Sequence, residues 1–142
     1  MAIWFDYSER KKGFAPVVSA RLTVGGKSSS VQEFIVDSGA SFSLAPSWYV
    51  SHLVEDFFKL PEEETPLEDA HGKPIKGRPL DAVVNIGKLP SFSERILFVT
   101  GFRFGLLGQT WFENIRVMFH NFPGSAEGRR FGFHLSPSNK DD

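Results

Sequence analysis

Alternation of apolar and polar positions dominates the first part of the chain. From Val17 to Val24, Val18, Ala20, Leu22 and Val24 share one face, with Arg21 and Thr23 opposite, the period of a half-buried strand. Gly25-Gly26-Lys27-Ser28 reads as a hairpin turn. Val31 to Val36 returns as a second strand, and its last three residues, Phe34-Ile35-Val36, form the unbroken apolar run of a buried strand. That run stops at Asp37, with Ser38 and Gly39 directly behind it.

The period changes between Ser43 and Leu60. Val50, Leu53, Val54, Phe57 and Phe58 fall at the spacing of one helix face, which predicts an amphipathic helix. Pro46 precedes it, Ser47 is placed to cap it and Pro61 to stop it. Pro61 to Pro66 contains Glu62-Glu63-Glu64, an acidic run expected as solvated loop. Leu67 to Ile86 reads as a hairpin with Ala70-His71-Gly72-Lys73 at its tip and Leu80, Ala82, Val84 and Ile86 alternating on the return. Glu94 to Thr100 is a buried strand around Ile96-Leu97-Phe98-Val99. Thr110 and Glu113 have capping-box spacing, so a short helix is expected near Trp111. Strands are expected at Ile115–Phe119 and Arg129–Leu135, with Pro123–Gly128 a turn-rich loop.

The two ends differ. Residues 1–14 form an N-terminal extension whose apolar cluster, Ile3, Trp4, Phe5 and Tyr7, predicts a docked segment, as an extra strand or an arm on a second subunit. Residues 136–142 are polar and expected to be disordered. The whole, 1–142, is expected to form a single domain.

Composition narrows the function classes. With 41% hydrophobic residues and 15 Phe in 142 positions, the chain can bury a core. A net charge of −1 gives no support to nucleic-acid or anionic-membrane binding. The absence of Cys excludes disulfides, thiolate metal sites and a Cys nucleophile. No apolar run approaches the roughly 18 residues of a membrane span. The first residues lack a signal-peptide layout, so a cytoplasmic location is expected.

Candidate chemistry centres on Asp37. A carboxylate at the end of a buried strand is costly unless hydrogen bonds or charges satisfy it. Gly39 allows a sharp turn that brings its own N–H back to that carboxylate. Asp, Ser and Gly are also ordinary turn residues, so the triplet alone is compatible with a plain turn. Asp37-Ser38-Gly39-Ala40 resembles the active-site signature of aspartic proteases, and Ala40 after the glycine resembles the retropepsin branch. The retropepsins carry two apolar residues and a glycine further along, and Leu106-Leu107-Gly108 fits that element. The resemblance runs from about Val17 to Leu135.

The resemblance implies a mainly β, retropepsin-like acid-protease single lobe with one or two short α-helices, active as a homodimer. It implies an aspartic endopeptidase in which each chain supplies one Asp37, because the chain holds a single Asp-Ser-Gly and hydrolysis needs two carboxylates. Catalytic roles would fall to Asp37, Ser38 and Gly39, with Ser38 bonding across to the partner loop. Ala40, Ser41 and the hairpin tip Ala70, His71, Gly72 and Lys73 would meet substrate, the tip acting as a flap. Leu106, Leu107 and Gly108 would pack beneath and brace the loop. No metal and no cofactor are implied. The partners would be a second copy of the chain and a peptide or protein substrate. Ser41 stands where many retroviral enzymes carry Asp, so substrate preference does not carry over. The apolar ends, Ile3–Tyr7 and Phe131–Leu135, are candidates for the dimer interface.

Other chemistries fit less well. Gly39-Ala40-Ser41-Phe42-Ser43 lacks the last glycine of a nucleophile elbow. His52, His71, His120 and His134 show no metal-ligand spacing. Gly101, Gly105 and Gly108 do not form a dinucleotide fingerprint. The serious alternative is a catalytically weak or inactive retropepsin-like module used for dimerisation or peptide binding.

Overall fold

The computed structural model describes residues 2–10, 13–37, 39–68, 70–121 and 129–134. Ser38, the Pro123–Gly128 loop and the 136–142 tail lie outside them. Twelve strands are present among the described residues: β1 (Ala2–Asp6), β2 (Ser8–Arg10), β3 (Gly13–Ala15), β4 (Val17–Val24), β5 (Lys27–Val36), β6 (Ser43–Pro46), β7 (Glu63–Glu68), β8 (Pro74–Asn85), β9 (Phe92–Val99), β10 (Gly105–Leu107), β11 (Arg116–Asn121) and β12 (Arg129–His134). One α-helix, α1 (Gln109–Phe112), precedes β11.

Seven strands make the main sheet, in the order β4-β5-β10-β6-β9-β8-β7, and β4 also pairs with β8 so that the sheet curls toward a barrel. The β4–β5 hairpin turns at Gly25 and Gly26, whose φ of 57° and 80° a side chain would strain. Val18, Ala20, Leu22 and Val24 are all buried, as the alternation requires. β10 is threaded between β5, to which it runs parallel, and β6, which it meets antiparallel. That insertion places the ends of β5 and β10 side by side and sets the position of Asp37.

A smaller sheet, β1-β12-β11, closes the core from one side. Phe5 stacks on Phe131 with ring centroids 5.5 Å apart, and Phe133 meets Trp111 edge-on at 5.3 Å. The N-terminal cluster therefore docks as a strand, paired with β12 of its own chain from Ala2 to Asp6.

The amphipathic helix expected over Ser43–Leu60 is not formed. Ser43–Pro46 is strand β6, buried between β10 and β9. Three single 3-10 turns follow, at Ser47–Tyr49, Ser51–Leu53 and Phe57–Lys59. Val50 and Val54 leave helical geometry, with φ near −131° and −119°, and Asp56 turns left-handed at φ 53°. Val54, with ψ 119°, is extended, a geometry in which a β-branched side chain is comfortable. Val50 and Phe57 still reach the core, whereas Phe58 is 61% exposed. Ser47 caps nothing, and its hydroxyl pairs instead with Thr100 at 3.3 Å.

The acidic run is not free loop either. Glu63 and Glu64 begin β7, in register with Gly77 and Lys76 of β8. Glu62 meets Arg78 at 3.2 Å and Glu63 meets Arg95 at 3.0 Å. Cross-strand pairing and nearby cations offset the repulsion that would otherwise extend such a run. The helix near Trp111 forms, but Thr110 lies inside it and Gly108 is its N-cap, so the capping box is absent.

Candidate active site

Asp37 leaves the end of β5 and is held at both sides of its peptide. Its N–H donates to the Leu107 carbonyl at 2.9 Å, which extends the β5–β10 ladder by one bond. Its own carbonyl accepts the Ala40 N–H at 3.2 Å, a tight turn over residues 37–40. Within that turn the Gly39 N–H donates to Asp37 Oδ1 at 2.9 Å. A hydrogen bond to the charged form of a carboxylate is worth about 1.5–3 kcal/mol, so the turn orients the side chain as well as the backbone. Gly39 also tolerates little more: an added Cβ would lie 3.3 Å from the same Oδ1.

The turn is tied to the second element from beneath. The Gln109 N–H donates to the Ala40 carbonyl at 2.8 Å, and the Gly108 N–H donates to the buried Ser43 hydroxyl at 3.0 Å. Gly108 has no room for a side chain, because a Cβ there would sit 2.5 Å from the Phe42 carbonyl oxygen. Leu107 is fully buried beneath the turn. Leu106, the residue before it, points the other way, is half-buried, and lines the cleft that holds Asp37.

That cleft has a volume of about 190 Å3. Asp37, Gly39, Ala40 and Ser41 form its floor and rim. Phe42, Leu44 and Leu106 form an apolar wall, and Leu67 reaches in from β7. A second hollow of about 370 Å3, lined by Gly101, Phe102, Arg103 and Phe104, meets the first at Leu106. The site is thus one carboxylate in an apolar trough.

Not every sequence candidate arrives there. Ala70, His71, Gly72 and Lys73 form the exposed turn between β7 and β8, with Gly72 at φ 76°, and they do not line the cleft. The hairpin instead contributes Leu67. Leu67 was missed because a single apolar residue beside an acidic run carries no signal of its own. Phe42 and Leu44 carried no site signal either: Phe42 stood inside the incomplete nucleophile-elbow pattern and Leu44 at the start of the expected helical segment, and it is β6 that sets Leu44 beside Leu106. Among the described residues, no group of three or more His, Asp or Glu side chains is close enough to hold a metal ion. No helix among them is long and apolar enough to cross a membrane.

A curled β-sheet with one strand threaded beside an Asp-bearing turn is the architecture of a retropepsin-like single lobe. The chain is similar to the crystal structure of a retropepsin-like aspartic protease from Rickettsia conorii, with a TM-score of 0.62 and 20% sequence identity over 94% of this chain and 91% of that one. At that identity the likeness defines the fold. No family model and no curated protein sequence matches the chain.

Proposed function

We propose that the chain is an aspartic endopeptidase that acts as a homodimer, as one retropepsin-like unit per chain. The observation that carries this reading is the Asp37 carboxylate, oriented by the Gly39 N–H at 2.9 Å and facing an apolar trough. The similar fold of the Rickettsia conorii protease supports it.

Two such carboxylates brought together about a two-fold axis cannot both ionise comfortably and hold one proton between them. The ionised partner takes a proton from a water while that water's oxygen attacks the peptide carbonyl carbon. The protonated partner donates to the carbonyl oxygen, giving a neutral gem-diol. When the C–N bond breaks, one carboxyl delivers its proton to the leaving nitrogen and the other recovers one from the gem-diol, which becomes the acid product. Atoms and protons balance without a cofactor.

One protomer offers a trough below the roughly 300–1,000 Å3 of a typical small-molecule site. A second copy would double the wall and supply the second carboxylate. Ser38, Ser41 and the 70–73 turn take their proposed roles in that assembled state, Ser38 toward the partner loop and the turn as a flap.

The test is a diverse peptide library incubated with purified protein across acidic to neutral pH, beside Asp37→Asn. Cleavage by the parent and none by the folded variant supports the reading. Peptide binding with no cleavage by either would instead favour a non-catalytic peptide-binding module.

A further inference from the structure

Among the residues whose side-chain burial is described, Glu94 is the only acidic or basic one that is buried, at 5% exposure. It lies on the core face of β9 with Ile96 and Phe98. Across the ladder it faces Ala82 of β8, a buried residue that offers nothing polar. Arg95 points to the other face, exposed and paired with Glu63, and Asp81 beside it is exposed as well. Two hydroxyls approach Glu94 from the elements above it, Thr110 from α1 and Ser43 from β6, and Glu113 acts on it from the end of α1.

These neighbours do not satisfy a charge. Burial pushes the Glu94 carboxyl above its ordinary value, the Thr110 and Ser43 hydroxyls pull it back in part, and the Glu113 charge pushes the same way as burial. Glu94 Oε2 and Thr110 Oγ1 are both buried without a completed hydrogen bond, so the two hydroxyls compensate a charge only in part. A neutral carboxyl fits this position, and an ionised one would stand uncompensated in the core. The same Ser43 hydroxyl accepts the Gly108 N–H at 3.0 Å, one residue from the Gln109–Ala40 bond that carries the Asp37 turn.

We propose that Glu94 is a positioning residue for the Asp37 turn: neutral, it leaves the Ser43–Gly108 hydrogen bond in place, and ionised, it draws the Ser43 and Thr110 hydroxyls toward itself and loosens that brace. The consequence for activity rests on the aspartic endopeptidase reading; the structural coupling does not.

The sign follows from linkage. A carboxyl whose folded value is raised contributes stability that is fully present below the unfolded value and is lost as pH rises through the folded value. The brace is therefore firm in acid and weakens as pH rises above the ordinary glutamate range.

Carbon-13 shifts of the Glu94 carboxyl and the amide shift of Gly108 should be followed from about pH 4 to about pH 8, upward from the ordinary carboxylate range. We expect one common midpoint above the ordinary glutamate value, retained when Asp37→Asn removes the carboxyl of the turn itself. Glu94→Gln should abolish that step at Gly108, remove the matching fall in Tm, and move the alkaline limb of kcat upward with KM little changed. A Glu94 carboxyl that titrates in the ordinary range overturns the proposal, as does a Gly108 amide that ignores it. The wild-type and Asp37→Asn titrations decide this even where Glu94→Gln does not fold. Loss of the endopeptidase reading would show instead as no cleavage by wild type at any pH, with the shared Glu94–Gly108 midpoint unaffected.

Discussion

The Asp37 N–H donates to the Leu107 carbonyl at 2.9 Å, so the acidic turn and the Leu-Leu-Gly element are two ends of one hydrogen-bonded ladder. Residues far apart in sequence are thereby adjacent in the place where the carboxylate is aimed. Damage to either end should reach the other.

Leu107 tests this from below. It is fully buried under the turn, and Leu107→Ala should destabilise the protein by about 2–5 kcal/mol through lost burial and a residual cavity. Denaturant unfolding at constant m-value measures it. A cost near zero would mean that the turn does not rest on this side chain.

Gly108 and Gly39 should respond differently to the same change. A Cβ at Gly108 meets backbone, the Phe42 carbonyl oxygen at 2.5 Å, and the backbone must move. Gly108→Ala should cost about 1–3 kcal/mol or more, the range for overpacked sites. A Cβ at Gly39 meets only Asp37 Oδ1, at 3.3 Å. Gly39→Ala should leave the melting temperature near wild type while lowering kcat. Equal losses of stability in both variants would contradict this division.

Arg78 anchors the segment that replaces the expected helix. Its guanidinium donates to the Leu60 and Phe58 carbonyls at 3.2 and 3.1 Å and to Glu62 at 3.2 Å, with only 12% of the side chain exposed. It also lies over the Phe57 and Phe58 rings at 5.6 and 5.4 Å. Arg78→Ala should cost about 1–3 kcal/mol, set mainly by the carbonyls it leaves unpaired. Hydrogen exchange should report the loss first between Phe57 and Glu62. Uniform exchange across the chain would argue against a local anchor.

Paired Asp37 residues make activity depend on assembly. Activity per chain should rise with protein concentration and level off as dimer saturates. Excess Asp37→Asn chains should poison the wild type by forming one-carboxylate heterodimers. Constant activity per chain at concentrations where sedimentation shows only monomer would exclude the paired mechanism.

The pH profile follows from the same pairing. The rate should be bell-shaped, falling where both carboxylates are protonated and where both are ionised. A rate that climbs steadily into alkali would point away from a shared proton.

Period and punctuation along the chain were enough to recover β4, β5, β8 and β9, because alternation reports directly which face a strand buries. Asp37 and Gly39 stood out at the end of an apolar run, where a chemically distinct residue is conspicuous, whereas the Leu-Leu-Gly element was picked out only by its resemblance to the retropepsins. The Ser43–Leu60 segment was misread because its apolar spacing suits a helix, while its partners, β10 and β9, lie more than fifty residues further along. Leu67 and Leu44 joined the cleft only when strands brought them there. Glu94 looked like an ordinary polar start to a strand. Its burial beneath Ser43 and Thr110 depends on β6, β9 and α1 meeting, and no local pattern encodes a meeting of three elements.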